Sequence, residues 1–243
     1  MNKYIFLLLT ITCLLSCKSI SVHQEFQETT TQNIQLGTVG EQKKFLLEQD
    51  YNHTALPKYQ KQVKVQVSLV DFNTSTFKIY QKAKPFQNKT IVVNYIDSIK
   101  TKPKFLKLEI ADRIAILNTL NDKDNKDIFQ FLKNKTEAHI ITTISVVFNQ
   151  ETSDVLSHGE EVFLEQIGVN NYALKIYKNK IEEKTIYFND GVVFGYQTSN
   201  ACWKQDDKYQ LGIVDLVENN DQCPNNTYRS AKRAKKKINY YKF

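Results

Sequence analysis

The sequence predicts an α+β fold: a β-rich domain with a largely antiparallel sheet and a short central helical hairpin. From Val63 onward, apolar and polar residues mostly alternate, as they do in half-buried strands. The pattern gives about nine strands without the regular strand–helix–strand repeat of a parallel sheet. Between two of these strands lies Asp190-Gly191, a pair that favours a tight hairpin turn. The fold class follows from these three observations.

The predicted strands fall where β-branched and aromatic residues concentrate, with Pro85 and Pro103 marking breaks between them. In chain order they cover residues 63–69, 77–80, 90–96, 105–110, 140–148, 161–167, 172–177, 181–188, 192–198 and 209–217. The run at 140–148 is β-branched and almost continuously apolar, which is typical of a buried central strand.

Helical spacing of apolar residues is confined to short stretches. Residues 111–120 and 127–133 each place apolar side chains on one face, and the polar residues 121–126 connect them into the predicted hairpin. Another short helix is predicted over residues 41–49, before Pro57 interrupts the chain.

The N-terminal segment has the organisation of an export signal. Residues 1–3 include a basic lysine, and residues 4–15 are an uncharged apolar run, shorter than the roughly 20 residues of a bilayer-spanning helix. Residues 14–17, Leu-Leu-Ser-Cys, resemble the lipobox of bacterial lipoproteins. The resemblance implies cleavage before Cys17 and attachment of diacylglycerol to its thiol. The alternative is an ordinary signal peptide with an incidental cysteine.

The composition, rich in Lys, Asn and Ile and poor in Gly, resembles that of Bacteroidota, the flavobacteria among them. In that group an acidic stretch after the lipidated cysteine often accompanies export to the cell surface, and residues 18–22 contain no acid. The resemblance therefore implies an outer-membrane lipoprotein that faces the periplasm and is held in the bilayer by acylated Cys17.

Four regions follow. Residues 1–16 are the signal peptide, 17–56 a lipidated N-terminus and polar tether, 57–223 a single β-rich periplasmic domain, and 224–243 a basic C-terminal tail. The tether is predicted because residues 18–38 are rich in Gln, Thr and Ser, including three consecutive threonines at 29–31.

The charge is concentrated in the tail. The chain has 33 basic and 26 acidic residues, but seven of the basic residues and none of the acidic ones follow Pro224, so residues 1–223 balance at 26 each. This distribution disfavours a nucleic-acid-binding domain. Instead it predicts one anionic contact, with lipid, lipopolysaccharide, peptidoglycan or an acidic protein, made by Arg229, Lys232, Arg233, Lys235, Lys236 and Lys237. Whether the tail is a helix, a strand or a solvated terminus is left open.

Two cysteines, Cys202 and Cys223, remain beyond the signal and lipidation sites. In an oxidising compartment they predict one disulfide. Zinc is disfavoured, since the sequence has no Cys-x-x-Cys and its four histidines are scattered. We therefore expect no metal site.

Catalytic motifs are missing from the sequence, which has no nucleophile elbow, zinc-protease motif, phosphate-binding loop or dinucleotide fingerprint. His158, with Glu160 and Glu161 nearby, reads as a polar loop before a strand. Residues 122–127 partly match a calcium loop, but Lys133 stands where a bidentate glutamate is required. A turn in which Asn125 caps the second helix is the better interpretation. No catalytic residue and no cofactor is assigned.

Two surface contacts are also predicted. Trp203, Tyr196 and Phe194 form an aromatic group that would either stack on sugar rings or belong to the core. Ser98, within Asp97-Ser98-Ile99, resembles the short O-glycosylation signal of Bacteroidota periplasmic proteins.

Together these features favour a non-enzymatic adaptor or subunit of a cell-envelope assembly, with an envelope protein as partner and no role with nucleic acid. An envelope glycan-binding module is the first alternative, and a hydrolase with an unrecognised site is the second.

Overall fold

The structure, a computed structural model, describes residues 19–44, 49–87, 91–168, 171–219 and 221–238. Its strands are β1 (Ser19–Val22), β2 (Glu25–Thr29), β3 (Val39–Lys44), β4 (Gln49–Ala55), β5 (Val63–Asp71), β6 (Lys104–Ile110), β7 (Ala138–Val147), β8 (Glu161–Gln166), β9 (Tyr172–Lys178), β10 (Ile181–Tyr187), β11 (Val192–Gln205) and β12 (Leu211–Glu218). Its helices are α1 (Thr74–Ala83), α2 (Arg113–Asn121), α3 (Lys126–Asn134), α4 (Gln150–His158) and α5 (Ala231–Ile238).

The strands form one sheet in which all pairings between these elements are antiparallel. The order is β1-β2-β11-β7-β6-β5-β8-β9-β10, with β12 also beside β11 and the β3–β4 hairpin beside β7. The predicted β-rich, largely antiparallel fold with a few short helices is therefore confirmed. No described helix is both long and apolar enough to cross a bilayer.

Strands β7 and β11 form the centre of the sheet and are the longest strands that the structure describes. They have 10 and 14 residues and pair with each other from Val192–Val147 to Ser199–Ile140. On its other edge β7 meets both β6 and β3, and β11 meets both β2 and β12. Both strands are buried along most of their length, including the polar residues 197–200 of β11.

Apolar side chains pack in two clusters. The larger includes Ile140, Ile144 and Trp203. The smaller includes Phe72, Phe105 and Phe194, with Tyr80 of α1 packed among these rings.

Helix α1 occupies the place of a predicted strand at 77–80. Asn73 and Thr76 form a reciprocal capping box, since each side chain accepts from the other residue's backbone N–H at 2.9 Å. Tyr80 and Ala83 lie three residues apart, on one face of the helix, and both are buried. The capping residues therefore favour a helix more strongly than the aromatic residues favour a strand. Residues 91–96 were also predicted as a strand, but they pair with no described strand.

The N-terminal region differs most from its predicted form. Residues 19–29, 39–44 and 49–55 form strands β1 to β4, where a polar tether and a helix over 41–49 were expected. Ile34, Leu36 and Tyr51 are fully buried. Buried polar residues, among them Gln27 and Thr38, lie beside these core positions, so a low average hydropathy coexists with a real core. Residues 17, 18 and 45–48 lie outside the described part.

Helices α2 and α3 lie where helical spacing predicted them. Asp112 caps α2 by accepting from the Ala115 N–H at 2.9 Å. The predicted cap at Asn125 is wrong, because its side chain makes no capping hydrogen bond to α3. It accepts from the Lys58 N–H at 2.7 Å and donates to the Thr119 carbonyl at 2.8 Å, which ties the turn to the chain before β5.

Candidate binding groove

A change of strand partner on one edge of β11 creates a polar groove. β2 pairs with β11 at Gly195 and Tyr196, and β12 pairs with it from Ser199 onward. Within the described part, no strand pairs with residues 197–198 on that edge. The cavity there measures about 350 Å³, and its walls are Ser19 of β1, residues 26–28 of β2, 196–198 of β11 and 218–219 at the end of β12.

Two local features of β11 shape this groove. A Cβ on Gly195 would lie 2.7 Å from Gln27 Oε1, so glycine lets the Gln27 side chain approach the strand. The register with β7 shifts between Gln197 and Thr198, a bulge that re-aims the side chains that follow it.

The carboxylate of Glu28 is the centre of a hydrogen-bond network in one wall. Tyr196 donates its hydroxyl to Glu28 Oε2 at 2.9 Å, and Asn219 Nδ2 lies 3.4 Å from Glu28 Oε1. The same Nδ2 donates to Thr198 Oγ1 at 2.9 Å, and Asn200 Nδ2 donates to Asn219 Oδ1 at 3.0 Å. These bonds hold the polar groups in fixed orientations.

Arg229 fixes the outer end of the groove. Its guanidinium donates to the carbonyl oxygens of Glu218 at 3.2 Å and Asn219 at 2.7 Å, and also to that of Asp221. This tail residue is therefore bound to the chain's own backbone and serves to order the segment after β12.

Gln27 contributes a buried amide to the wall. Its side chain is fully buried, and its Oε1 accepts from Ser145 Oγ at 2.6 Å. Its Nε2 has no hydrogen-bond partner among the described residues. Reversing the amide would exchange the two atoms and leave one of them unpaired in either orientation. Because this nitrogen is itself buried, it offers no donor to a molecule in the groove.

Phe26 supplies an aromatic face. It is 71% exposed, and its backbone carbonyl accepts from Gln197 Nε2 at 3.1 Å. The charged side chains in the wall are Glu28 and Glu218, which outnumber the single guanidinium of Arg229 at the outer end of the groove. The groove therefore combines an exposed ring, amides, a hydroxyl and carboxylates, and its charge disfavours an anionic ligand.

The aromatic residues that the sequence suggested for sugar stacking are buried instead. Trp203, Phe194 and Tyr196 are at most 2% exposed. Trp203 packs edge-on against Phe129 in the larger cluster, and Phe194 packs in the smaller one, so the three rings share no exposed surface. Tyr196 lines the groove, and its hydroxyl donates to Glu28 there. Sequence reasoning missed Phe26 because it lies in the segment assigned to the tether.

The predicted disulfide is present. Cys202 and Cys223 are joined, with their Cα atoms 5.7 Å apart. Next to it, Trp203 and Tyr228 exchange backbone hydrogen bonds of 2.7 and 3.0 Å. The bond and the bridge together hold the segment before α5 against β11. Cys17 lies outside the described residues.

The described basic residues of the tail have different roles. Ala231 and Ala234 of α5 are each 3% exposed and belong to the larger cluster, while Lys232, Arg233 and Lys235 are exposed. The Arg233 guanidinium also lies 5.7 Å from the centre of the Tyr228 ring. The side chains of Lys236 and Lys237 lie outside the described part.

The remaining polar candidates have local partners. Ser98 is exposed in a turn closed by the Ile99 N–H and the Ile96 carbonyl, 3.3 Å apart. Beside it, hydrogen bonds from Tyr95 and Thr74, and then the charge of Lys102, lower the pKa of Asp97. His158 Nδ1 lies 2.7 Å from the Asp154 carbonyl oxygen in α4. Over the described ranges, no three metal-binding side chains converge.

No protein-family model, curated protein or solved structure matches this chain.

Proposed function

We propose that this chain is an outer-membrane-anchored lipoprotein facing the periplasm, and that it acts as a non-enzymatic adaptor that binds an envelope saccharide in the groove between β2 and β12. The single observation that carries the binding role is the wall itself. It places the exposed Phe26 ring beside ordered amide, hydroxyl and carboxylate groups in a cavity of about 350 Å³.

The chemistry of the wall supports a neutral, polyhydroxylated ligand. Each hydroxyl of a pyranose both donates and accepts, and amides and carboxylates supply the matching partners. The apolar face of the ring packs on an aromatic face such as that of Phe26. Phosphate- or sulfate-rich ligands fit poorly, because Glu28 and Glu218 would repel them.

The position of the groove supports the adaptor role. Ser19 belongs to its wall, and Cys17 precedes Ser19 by two residues. Acylation of Cys17 would hold the groove at the bilayer surface without a long tether. A saccharide bound there would be linked to the membrane through a single folded unit.

Helix α5 supports a second contact, with an anionic envelope component or an acidic partner protein. Burial of Ala231 and Ala234 fixes the helix, while Lys232, Arg233 and Lys235 are exposed. As part of the same proposal, α2 and α3 act as one helical hairpin, supported by the bonds of Asn125 to Thr119 and Lys58.

Mass spectrometry of the protein purified from native membranes tests the anchor. The expected N-terminus is Cys17 carrying diacylglycerol, and the same spectra test for a glycan on Ser98. An unlipidated mature N-terminus at any other residue would contradict the anchor. Protease treatment of intact cells tests the periplasmic orientation, because a periplasm-facing chain is protected until the outer membrane is opened.

Calorimetric titration of the chain with soluble peptidoglycan fragments and lipopolysaccharide core oligosaccharides tests the groove. We expect Phe26→Ala to weaken saccharide binding by about fivefold, since one stacked ring contributes on the order of 1 kcal/mol. Phe86→Ala is the matched control, because Phe86 is 73% exposed and lies outside the groove. Equal affinities of the two variants, or no saccharide binding by the parent chain, would contradict the proposal.

A further inference from the structure

An exposed apolar row lies between α1 and β6. In the extended residues 91–95, Ile91, Val93 and Tyr95 pack against the smaller cluster. The alternate residues Val92 and Ile96 are 72% and 54% exposed. Ile99, in the turn that follows, is 47% exposed. Alternation in extended backbone therefore directs apolar side chains away from the protein.

This row is held in place by named contacts. Tyr80 donates its hydroxyl to the Ile91 carbonyl, and the Tyr95 ring stacks on Phe77 with centroids 4.8 Å apart. Lys102 Nζ donates to the Ile96 carbonyl at 3.2 Å. The apolar side chains are thus presented from an ordered segment, whereas isolated exposed apolar residues need no explanation.

The surrounding sequence is basic. Residues 71–104 contain seven lysines and two acidic residues, Asp71 and Asp97. Lys104 pairs with Asp71, and Lys102 with Asp97. Four other lysines form no ion pair with a described residue: Lys78, Lys82, Lys84 and Lys100. Apolar side chains beside unpaired lysines are the combination that interfacial membrane binding requires.

We propose that a docking face, defined as Val92, Ile96 and Ile99 with Lys84 and Lys100, lies on the surface of an anionic bilayer. Its charge complements that surface, and its apolar side chains fit the boundary between headgroups and acyl chains. Ile20 and Val22 of β1 belong to the same cluster as residues 91–95. Because β1 begins two residues after Cys17, the proposed lipid anchor would bring the bilayer to this side, and in that respect the inference rests on the proposed function.

Vesicle binding by residues 17–243 carrying Cys17→Ser tests the docking face without the lipid. This chain contains every residue that the structure describes. Lys232→Gln and Lys235→Gln are included throughout, so that α5 contributes less charge. We expect co-sedimentation with vesicles containing phosphatidylglycerol and none with pure phosphatidylcholine.

In that background, Val92→Ser with Ile96→Ser should weaken binding to the anionic vesicles by about tenfold. Lys84→Gln with Lys100→Gln should weaken it by about 20-fold at low salt. The matched control is Ile114→Ser with Ile181→Ser, since these side chains are 70% and 72% exposed on α2 and β10. The control should bind like the parent chain, and thermal unfolding checks that each variant is folded.

Equal vesicle binding by the parent and the Val92/Ile96 variant would overturn the inference. So would a concentration-dependent dimer in sedimentation that this variant abolishes, because the face would then bind a second copy of the chain. If the vesicle test fails but the native protein carries diacylglycerol on Cys17, the anchor stays intact. If the vesicle test succeeds but the native protein lacks diacylglycerol, only the anchor is contradicted.

Discussion

Lys107 shows how a single charged residue stabilises the junction between the N-terminal strands and the centre of the sheet. Its side chain is 6% exposed, and its Nζ lies 2.6 Å from Glu25 and 3.1 Å from Glu109. Burial lowers the pKa of Lys107, but hydrogen bonds and charge from these two glutamates outweigh it, so the net shift is upward. The ion pair therefore connects β2 to β6.

We expect Lys107→Met to lower the free energy of unfolding by about 1–3 kcal/mol, because Glu25 and Glu109 lose their shared donor. A raised pKa in the folded state means that the contribution of Lys107 is complete below its ordinary value of 10.5 and declines as the pH rises through the folded value. Urea denaturation at neutral pH and above pH 10.5 measures this difference.

The control for Lys107 is Lys64→Met, which removes an exposed ion pair with Glu161 at 3.5 Å and should cost less than about 1 kcal/mol. A difference between parent and Lys107→Met that persists unchanged well above pH 10.5 would show that the ion pair is not its source.

Individual residues also show where sequence reasoning succeeds and fails. Cys202 and Cys223 could be paired from compartment and number alone, because two remaining thiols allow one partner each. Phe26 and Glu28 could not be assigned to a site, because Glu28 reaches Tyr196 across 168 positions of sequence. Nothing local in the Gln- and Thr-rich segment indicates that pairing.

At the scale of elements, the disulfide joins the end of β11 to the segment that leads into α5. Replacing both cysteines by alanine should lower the free energy of unfolding by about 3 kcal/mol in the chain-entropy model, given a sequence separation of 21. Denaturation of the variant and of the parent with and without reductant measures the loss. If reductant does not change the unfolding midpoint of the parent, the expected contribution of the disulfide is contradicted.

The strands and helices that the sequence predicts are those whose pattern lies within the element itself. The apolar patterns predicted β5 to β10 and β12 closely. Strand β11 was predicted to end at residue 198 but continues to Gln205, because its second half is polar yet buried. The hairpin predicted at Asp190-Gly191 is wrong, since β10 pairs with β9 and β11 pairs with β7, β2 and β12. The capping box of Asn73 and Thr76 was an available local signal for α1 that the aromatic residues around it obscured. Strands β1 to β4 carry weak patterns, since their stability comes from pairing with β7 and β11.

For the whole molecule, the basic residues concentrate in two segments, residues 71–104 and the tail after Pro224, and the rest of the chain has more acidic than basic residues. Loss of Lys3 with the signal peptide would leave 32 basic and 26 acidic residues, of which seven basic ones follow Pro224. Arg229 is hydrogen-bonded to the chain's own backbone, whereas Lys232 and Lys235 are exposed on α5. Lys78, Lys82, Lys84 and Lys100, which form no ion pair with a described residue, are a second basic group that overall charge does not reveal.

The whole sheet also changes how an anchor at Cys17 would act. The first described residue, Ser19, already belongs to β1, and β1 and β2 continue the sheet through β11. An acylated Cys17 would therefore hold the entire sheet next to the membrane. A flexible polar tether would instead let the domain move away from the bilayer.

Hydrogen exchange of the native chain, with and without a bound envelope oligosaccharide, tests the proposed binding site most directly. We expect slower exchange at residues 26–28, 196–198 and 218–219, which form the walls of the groove, and no change in α2 or the β9–β10 hairpin. Unchanged exchange in the groove at saturating oligosaccharide, or protection confined to another surface, would contradict the proposed site.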